Sequence, residues 1–365
     1  MRDSIDDLFS KVDDPRVKGR CLHRLKDVLF IAFCTLLSNG EDFEDMVEFA
    51  TQRQEWLEEI LELPNGIPSH DTFNRVLQLI DNEQLMEVLQ KDAEYLIESV
   101  KGKLISFDGK KMKGVSPTSK GNSGLYILSA WVGEDRLCIG QKKVKDKSNE
   151  IVAIPELIEI LELEGSTVSI DAIGCQVDIA EKIIDAKANY LLAVKKNQGD
   201  LYEEVSDKFT WGGAKEFSET WEYDHGRYET RTCYTVSASA FLSPIQLSKW
   251  KGIKTLIKVK AERTTSGITT SNTRFYISSD EKDHVFYNEN IRGHWGIENH
   301  LHWHLDITFN EDANRSRTRN APENLNTLRK IALHRIEKMD DKLSLKKRRF
   351  RASMNMDYLT DVIGF

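Results

Sequence analysis

Three acidic side chains stand in settings that suit chemistry: Asp108 in Leu-Ile-Ser-Phe-Asp-Gly-Lys, Asp171 in Val-Ser-Ile-Asp-Ala, and Glu298 in His-Trp-Gly-Ile-Glu-Asn-His. The first two each close a short apolar, β-branched run, where a strand would stop and turn its last side chain toward a cleft. The third lies in a stretch with helical spacing. Mg²⁺ takes oxygen ligands and keeps several waters, so a few carboxylates plus substrate phosphate complete its shell. Two such ions about 4 Å apart activate a water or a 3′-hydroxyl and stabilise the leaving oxygen in an in-line displacement. Asp108, Asp171 and Glu298 together therefore predict a site for two Mg²⁺ ions, with Mn²⁺ as a substitute, acting on phosphodiesters.

Each acid has a plainer alternative. Asp before Gly, as at Asp108-Gly109, is a common turn pair. Asp171 suits the cap of the helix that follows it. Asp306, Glu311 and Asp312 are close enough in sequence to stand in for Glu298. The run His300-Leu301-His302-Trp303-His304, with His294 before it, invites a zinc reading. Alternate residues of a helix point in nearly opposite directions, however, and no H-e-x-x-H pattern is present.

The elements that must position the acids follow from periodicity. Apolar residues at three-to-four spacing predict helices over 23–37, 43–60, 69–80 (with Ser69 as N-cap) and 83–99. From residue 104 the period changes. Strands are expected over 104–107, 125–132, 136–144, 167–170 and 189–194, with a hairpin turn at 132–136 and helices over 151–163, after Asp171, and over 198–208. Three strands, a helix, a strand, a helix and a strand, with an acid at the end of the first and fourth strands, predict an α/β fold: a ribonuclease-H-like mixed sheet with flanking helices. An all-α N-terminal domain (1–100) precedes the catalytic domain (101–365), which a strand-rich insertion at about 210–283 interrupts. His225-Gly226-Arg227 reads as a turn within it. Helices resume over 285–305 and 322–338.

The net charge of −8 hides an uneven distribution. Residues 1–100 hold 22 acidic and 10 basic side chains and the remainder 37 and 41, so the front carries −12 and the rest +4. Basic residues crowd after Asp108 (Lys110, Lys111, Lys113, Lys120), recur at Lys142, Lys143, Lys145 and Lys147, and return from Arg315 to Arg351. Such a chain meets phosphates with one face. The longest apolar run, over 28–37, is too short to cross a bilayer. Five scattered cysteines with no C-x-x-C pair suggest reduced thiols and a cytoplasmic protein.

Several long strings closely resemble the transposases of the H-repeat-associated insertion-sequence family, a branch of the DDE transposases. They are Ile-Arg-Gly-His-Trp-Gly-Ile-Glu-Asn with the Leu-His-Trp-His-Leu-Asp-Ile-Thr-Phe-Asn-Glu-Asp-Ala that follows, Asp171-Ala172-Ile173-Gly174-Cys175-Gln176, Tyr190 to Lys195 with Asn197-Gln198, Asn320 to Asn324, and Pro64 to Phe73. The resemblance spans nearly the whole chain. It implies a ribonuclease-H-like core, divalent metal, and cleavage and joining of double-stranded DNA at element ends and target, with the acidic triad on Asp108, Asp171 and Glu298. Related transposases carry Tyr, Arg and Lys at fixed distances around the glutamate; here Ile291, His294 and Leu305 occupy those positions, and Arg292 is the neighbouring candidate for the arginine.

Lys110, Lys111, Lys113 and Arg292 are the expected phosphate contacts, which fix register without reading sequence. Asn299 and Trp295 flank the glutamate, with Trp295 a stacking platform for a displaced base or a core residue. A homo-oligomer assembled on DNA is expected, with the acidic N-terminal domain serving either DNA contact or assembly. A catalytically silent DNA-binding remnant and a nonspecific metal-dependent nuclease are the competing functions.

Overall fold

Apolar stripes start the chain as helices: α1 (Ile5–Ser10), α2 (Leu25–Leu37), α3 (Phe43–Gln52), α4 (Gln54–Ile60), α5 (His70–Leu79) and α6 (Asn82–Leu96). The computed structural model describes residues 5–115, 125–144, 149–211, 217–224 and 226–364; Lys120, Lys145, Lys147 and His225 lie outside them. Asp42 and Asp45 form a reciprocal capping box that starts α3. The single helix expected over 43–60 is two, because Arg53 leaves helical geometry (φ −119°, ψ 21°) and its guanidinium donates to the Ser353 carbonyl at 2.9 Å.

β1 (Leu104–Met112), β2 (Leu125–Val132), β3 (Leu137–Val144), β4 (Thr167–Ile170) and β5 (Asn189–Val194) lie side by side in the order β3-β2-β1-β4-β5. β1 pairs antiparallel with β2, and β2 with β3; β4 is parallel to β1, and β5 to β4. The helices α7 (Glu150–Ile160), α8 (Val177–Asp185) and α9 (Gly199–Trp211) pack their apolar stripes on one face through Leu157, Ile183 and Val205. Period-two alternation sends Leu192 and Val194 to that face and Leu191 to the other, against Tyr287 and Ile291 of α11 (His284–His294).

The strand-rich stretch after α9 contributes β6 (Phe217–Asp224), β7 (Arg227–Ser237), β8 (Thr255–Thr265) and β9 (Ile268–Ser278), with the short helix α10 (Pro244–Lys249) between β7 and β8. It does not form a separate body. β9 pairs antiparallel with β5, so that among the described residues one mixed nine-stranded sheet runs β3-β2-β1-β4-β5-β9-β8-β7-β6.

The last helices, α12 (Ala321–Glu337), α13 (Leu345–Met354) and α14 (Met356–Ile363), share one apolar core with α1 to α6, which therefore continues across Lys101-Gly102-Lys103. α12 is buried on all sides, and its polar side chains find partners on the elements around it. Lys330 Nζ donates to Ser129 Oγ at 2.8 Å and Gln141 Oε1 at 2.6 Å. His334 bridges Asp92 of α6 and the Cys138 amide of β3. This corrects the expected basic face from Arg315 to Arg351: Arg329, Lys330, Arg335, Arg348 and Arg349 are buried and hold the fold together. Apart from Arg348, which bonds to Asp341 and the end of α12, their partners come from α2, α6, β2, β3 and loops remote in sequence, so a local count of positive charge misreads them as surface.

Candidate active site

Phe107 opposite Ile170 is the last parallel pair between β1 and β4, so the next residue on each strand is an aspartate. Adjacent strands run about 4.8 Å apart, which makes Asp108 and Asp171 neighbours. The expectation that β1 stops at Asp108 is corrected: it continues to Met112, paired with β2 alone (Asp108 opposite Ser129, Met112 opposite Leu125). Asp-Gly-Lys-Lys has little strand propensity; the ladder with β2 overrides it. One oxygen of Asp171 accepts from the Ile173 amide at 2.9 Å and caps a single 3₁₀ turn, Ala172–Gly174. The capping reading of Asp171 and its place beside Asp108 therefore coexist.

Glu298 arrives from a different layer. After α11 the chain winds as π-helix over Ile297–His302 and again over His304–Thr308, a rare geometry that recurs at functional sites. Ile297, Leu301 and Leu305 bury themselves in the core shared with α12. Gly296 is required there, because a Cβ would lie 2.6 Å from the Trp131 ring. His294 Nδ1 lies 2.8 Å from Ser169 Oγ and ties the end of α11 to β4, two residues before Asp171. Glu298 is thus pinned on both sides while its own side chain stays exposed.

The three acids share one electrostatic field. Burial first, and then the charges of Glu298 and Asp171, push the Asp108 carboxyl up to about 7, against a smaller opposing bond from the Gly109 amide. Among the described residues, no three His, Cys, Asp or Glu side chains are already close enough to hold one ion between them. The donor set still fits a hard divalent cation. It is all oxygen, its charges repel one another, and Mg²⁺ needs only a few protein ligands beside water and phosphate.

The acids that competed with Glu298 in the sequence are engaged elsewhere. Lys110 Nζ sits 2.7 Å from Asp306 Oδ1 and 2.8 Å from Glu311 Oε2. Lys113 Nζ is 2.7 Å from Asp312 Oδ2, and Asn326 donates to Glu311 at 2.7 Å. Lys110 is therefore corrected from an expected DNA contact to an internal counter-charge, with a side chain only 10% exposed. Lys111, over the Tyr126 ring at 5.6 Å, and Lys113 stay on the surface.

Arg292 and Trp295 line a cavity of about 410 Å³ between α11 and β7 to β9, together with Arg231, Arg263 and Arg274. The Arg274 guanidinium lies 4.6 Å from the Trp295 ring centroid, and Arg292 reaches Glu222 at 3.3 Å. Exposed pairs of this kind are worth little and exchange readily. Asn299 is exposed beside Glu298.

The sequence profile of the transposase DDE domain matches residues 100–334, and that of the DDE_Tnp_1-associated region matches residues 7–91. The chain belongs to the DDE transposase family. It is 35% identical to "Putative transposase YncI" of Escherichia coli O157:H7, covering 99% of this chain and 94% of that one. It is 33% identical to "H repeat-associated putative transposase YhhI" of E. coli strain K12, covering 98% and 96%. A solved piggyBac transposase synaptic complex with hairpin DNA aligns over 99% of this chain and 77% of that one at TM-score 0.41 and 10% identity.

In this member of the family the histidines after Glu298 diverge. His300 faces Glu337 at 3.4 Å, His304 Nδ1 meets Thr308 Oγ1 at 2.8 Å, and His302 Nδ1 stands 3.6 Å from Asp108 Oδ2. Burial, helped by Lys330 and Lys110, drives His302 down to about 3, so a neutral ring faces Asp108. Two residues at the site escaped sequence reasoning. His302 was one of several histidines in a row with nothing to single it out. Glu150, whose carboxylate packs on Gly109 beside Asp108, was lost because the apolar stripe of its helix begins at Ile151, whereas α7 starts one residue earlier.

Among the described residues no helix is long and apolar enough to cross a membrane.

Proposed function

We propose that this chain is a DNA transposase that cuts and joins phosphodiester bonds at the ends of an insertion element, using two divalent ions held by Asp108, Asp171 and Glu298. Residues 101–365 form its ribonuclease-H-like catalytic domain with an insertion at about 210–283, and residues 1–100 its helical associated domain. The carrying observation is that Asp108 and Asp171 each follow the last parallel pair of β1 and β4, with the π-helical turn that bears Glu298 packed near enough for its charge to act on half-buried Asp108. The order β3-β2-β1-β4-β5, with two antiparallel and then two parallel pairings, supports the same core.

Bound ions would stabilise charge on the phosphodiester and ease deprotonation of the attacking water or 3′-hydroxyl. The chain's own residues do the rest. Asp108 and Asp171, on neighbouring strands, form the fixed half of the site. Glu298 closes it from the helical layer, and neutral His302 beside Asp108 restricts how that carboxylate turns. Lys111, Lys113 and Arg292 hold DNA phosphates in register, Asn299 contributes a neutral donor beside the glutamate, and Trp295 offers a ring to an unpaired base.

The test is incubation of the protein with duplexes carrying the element's ends in Mg²⁺ or Mn²⁺. The parent nicks at the ends, and Glu298→Gln does so at least about a hundredfold more slowly, since several kcal/mol of charge stabilisation is lost. Equal cleavage by both proteins refutes the assignment. Cleavage indifferent to the end sequence favours a nonspecific nuclease, and specific binding without nicking favours a silent remnant.

Arg292→Ala is expected to lower the slope of log affinity against log salt by about one, the signature of one lost phosphate contact. Trp295→Ala should cost about 1–3 kcal/mol on DNA with unpaired bases and little on intact duplex. Fluorescence anisotropy across a salt series reads both.

A further inference from the structure

Arg315 and Arg317 stay in solvent, unlike the buried arginines of α12 and α13. Among the described residues their side chains bond to one neutral atom and to no carboxylate. Arg315 Nη1 donates to the Gly114 carbonyl at 3.1 Å, and Arg317 donates to the same oxygen from Nε at 3.3 Å and Nη2 at 3.1 Å. Glycine permits this meeting, because a Cβ at position 114 would stand 2.3 Å from the Asp312 carbonyl oxygen and 2.4 Å from that of Asn314. Two guanidiniums converging on one uncharged acceptor repel each other. Each carries five N–H donors, so most are left for another acceptor.

The pair edges a cavity of about 380 Å³, lined also by Phe43 at the start of α3, Asn74 of α5, Asn310 and Asn314. Its two acids are engaged. Glu41 Oε2 accepts from Asn310 Nδ2 at 2.6 Å, and Asp42 caps α3 through the Glu44 and Asp45 amides. Asn74 Oδ1 accepts from Gln78 at 2.7 Å, which leaves its NH₂ group as a donor. Crowded guanidiniums beside an amide donor suit a phosphate, which arginine grips as a bidentate fork. We propose that Arg315 and Arg317, with Asn74 from the N-terminal helices, clamp one backbone phosphate of the bound DNA. This rests on the transposase reading given above and gives the N-terminal helices a share of the DNA contact. At about 3.3 Å per residue the chain from Asp108 to Gly114 spans at most about 20 Å, or about six base-pair steps. The clamped phosphate therefore lies within about six base pairs of the bond that is cut.

The experiment titrates the full-length protein with a fluorescent duplex of the element's end, in chelator, across a salt series read by anisotropy. The Arg315→Ala/Arg317→Ala variant is expected to bind at least about tenfold more weakly and to lower the slope of log affinity against log salt by about one. The Arg315→Lys/Arg317→Lys variant keeps both charges and restores the slope, which a merely misfolded loop would not do. Asn74→Ala weakens binding severalfold and leaves the slope alone, because a neutral donor releases no counterion. Duplexes with one neutral methylphosphonate locate the contact: a single position within about six base pairs of the cut weakens the parent and not the alanine pair. If the alanine pair binds with the parent's affinity and slope, or the sensitive position lies farther away, the proposal fails and the transposase reading stands. If Asn74→Ala binds like the parent, the N-terminal helices have no part in the clamp. If the parent itself does not bind the end duplex, the transposase reading fails and takes the clamp with it.

Discussion

Asp108→Asn is expected to abolish strand cleavage and, in the absence of metal, to make the protein more stable at neutral pH. Few substitutions do both: the first effect follows from the proposed metal-ligand role, the second from the charge that the fold crowds around this carboxyl. Burial, Glu298 and Asp171 raise the Asp108 carboxyl to about 7. A carboxyl whose folded value lies above its unfolded value holds its proton longer in the native state. Stability therefore falls as pH rises from about 4 to about 7 and stays low above it. Over the interval from 3.8 to about 7 the penalty is at most about 4 kcal/mol. Asparagine carries no charge and escapes it. Chemical unfolding in chelator should show the variant more stable than the parent at pH 8, with the gap gone by pH 4. Added Mn²⁺ should stabilise the parent by mass action and leave the variant unmoved. A variant less stable than the parent at pH 8 would mark Asp108 as a structural residue.

Lys110→Met is expected to cost about 3–5 kcal/mol, the usual result of removing one partner from a buried ion pair. Burial would raise Glu311, which is 1% exposed, but Lys110 and Arg329 beside it hold its carboxyl down to about 2. A depressed carboxyl contributes stability that is present above its ordinary value and lost as pH falls toward 2. The Lys110 contribution should therefore be full at pH 7 and fade in acid. Methionine fills a similar volume, so the loss reports charge and not a cavity. The salt slope of DNA binding should not change, because Lys110 faces inward. Lys111→Ala and Lys113→Ala provide the contrast: each lowers that slope by about one with little effect on stability. Thermal unfolding beside anisotropy separates the two groups. A reduced slope in folded Lys110→Met would return this lysine to the DNA surface.

Much of the frame was legible in the chain. Short apolar runs marked β2, β4 and β5 nearly to the residue, since a strand buried on both faces advertises itself by composition. The end of β4 at Ile170, and hence the setting of Asp171, was legible for the same reason. The far half of β1 was not, because Asp108 to Lys111 are poor strand formers that only the ladder with β2 holds extended. The split at Arg53 depends on a carbonyl 300 residues away. Glu150 was invisible because a charged first residue lies outside the apolar stripe by which a helix is recognised.

The sequence by itself determined most of the helices and strands and that Asp171 follows the end of β4, because periodicity and capping act over a few residues. It also carried the family. Tertiary structure alone decided which charges face solvent and which neutralise one another. Lys110 and Glu311 are 201 residues apart in the chain and 2.8 Å apart in the fold. That pairing turned an expected DNA contact into a clamp and left Glu298, among the acids near it, as the one whose charge acts most on Asp108. It also decided that β9 pairs with β5 and makes one sheet of two strand groups. Hydrogen-bonded edges and buried ion pairs are satisfied by whatever the fold brings near, and local sequence does not record that partner.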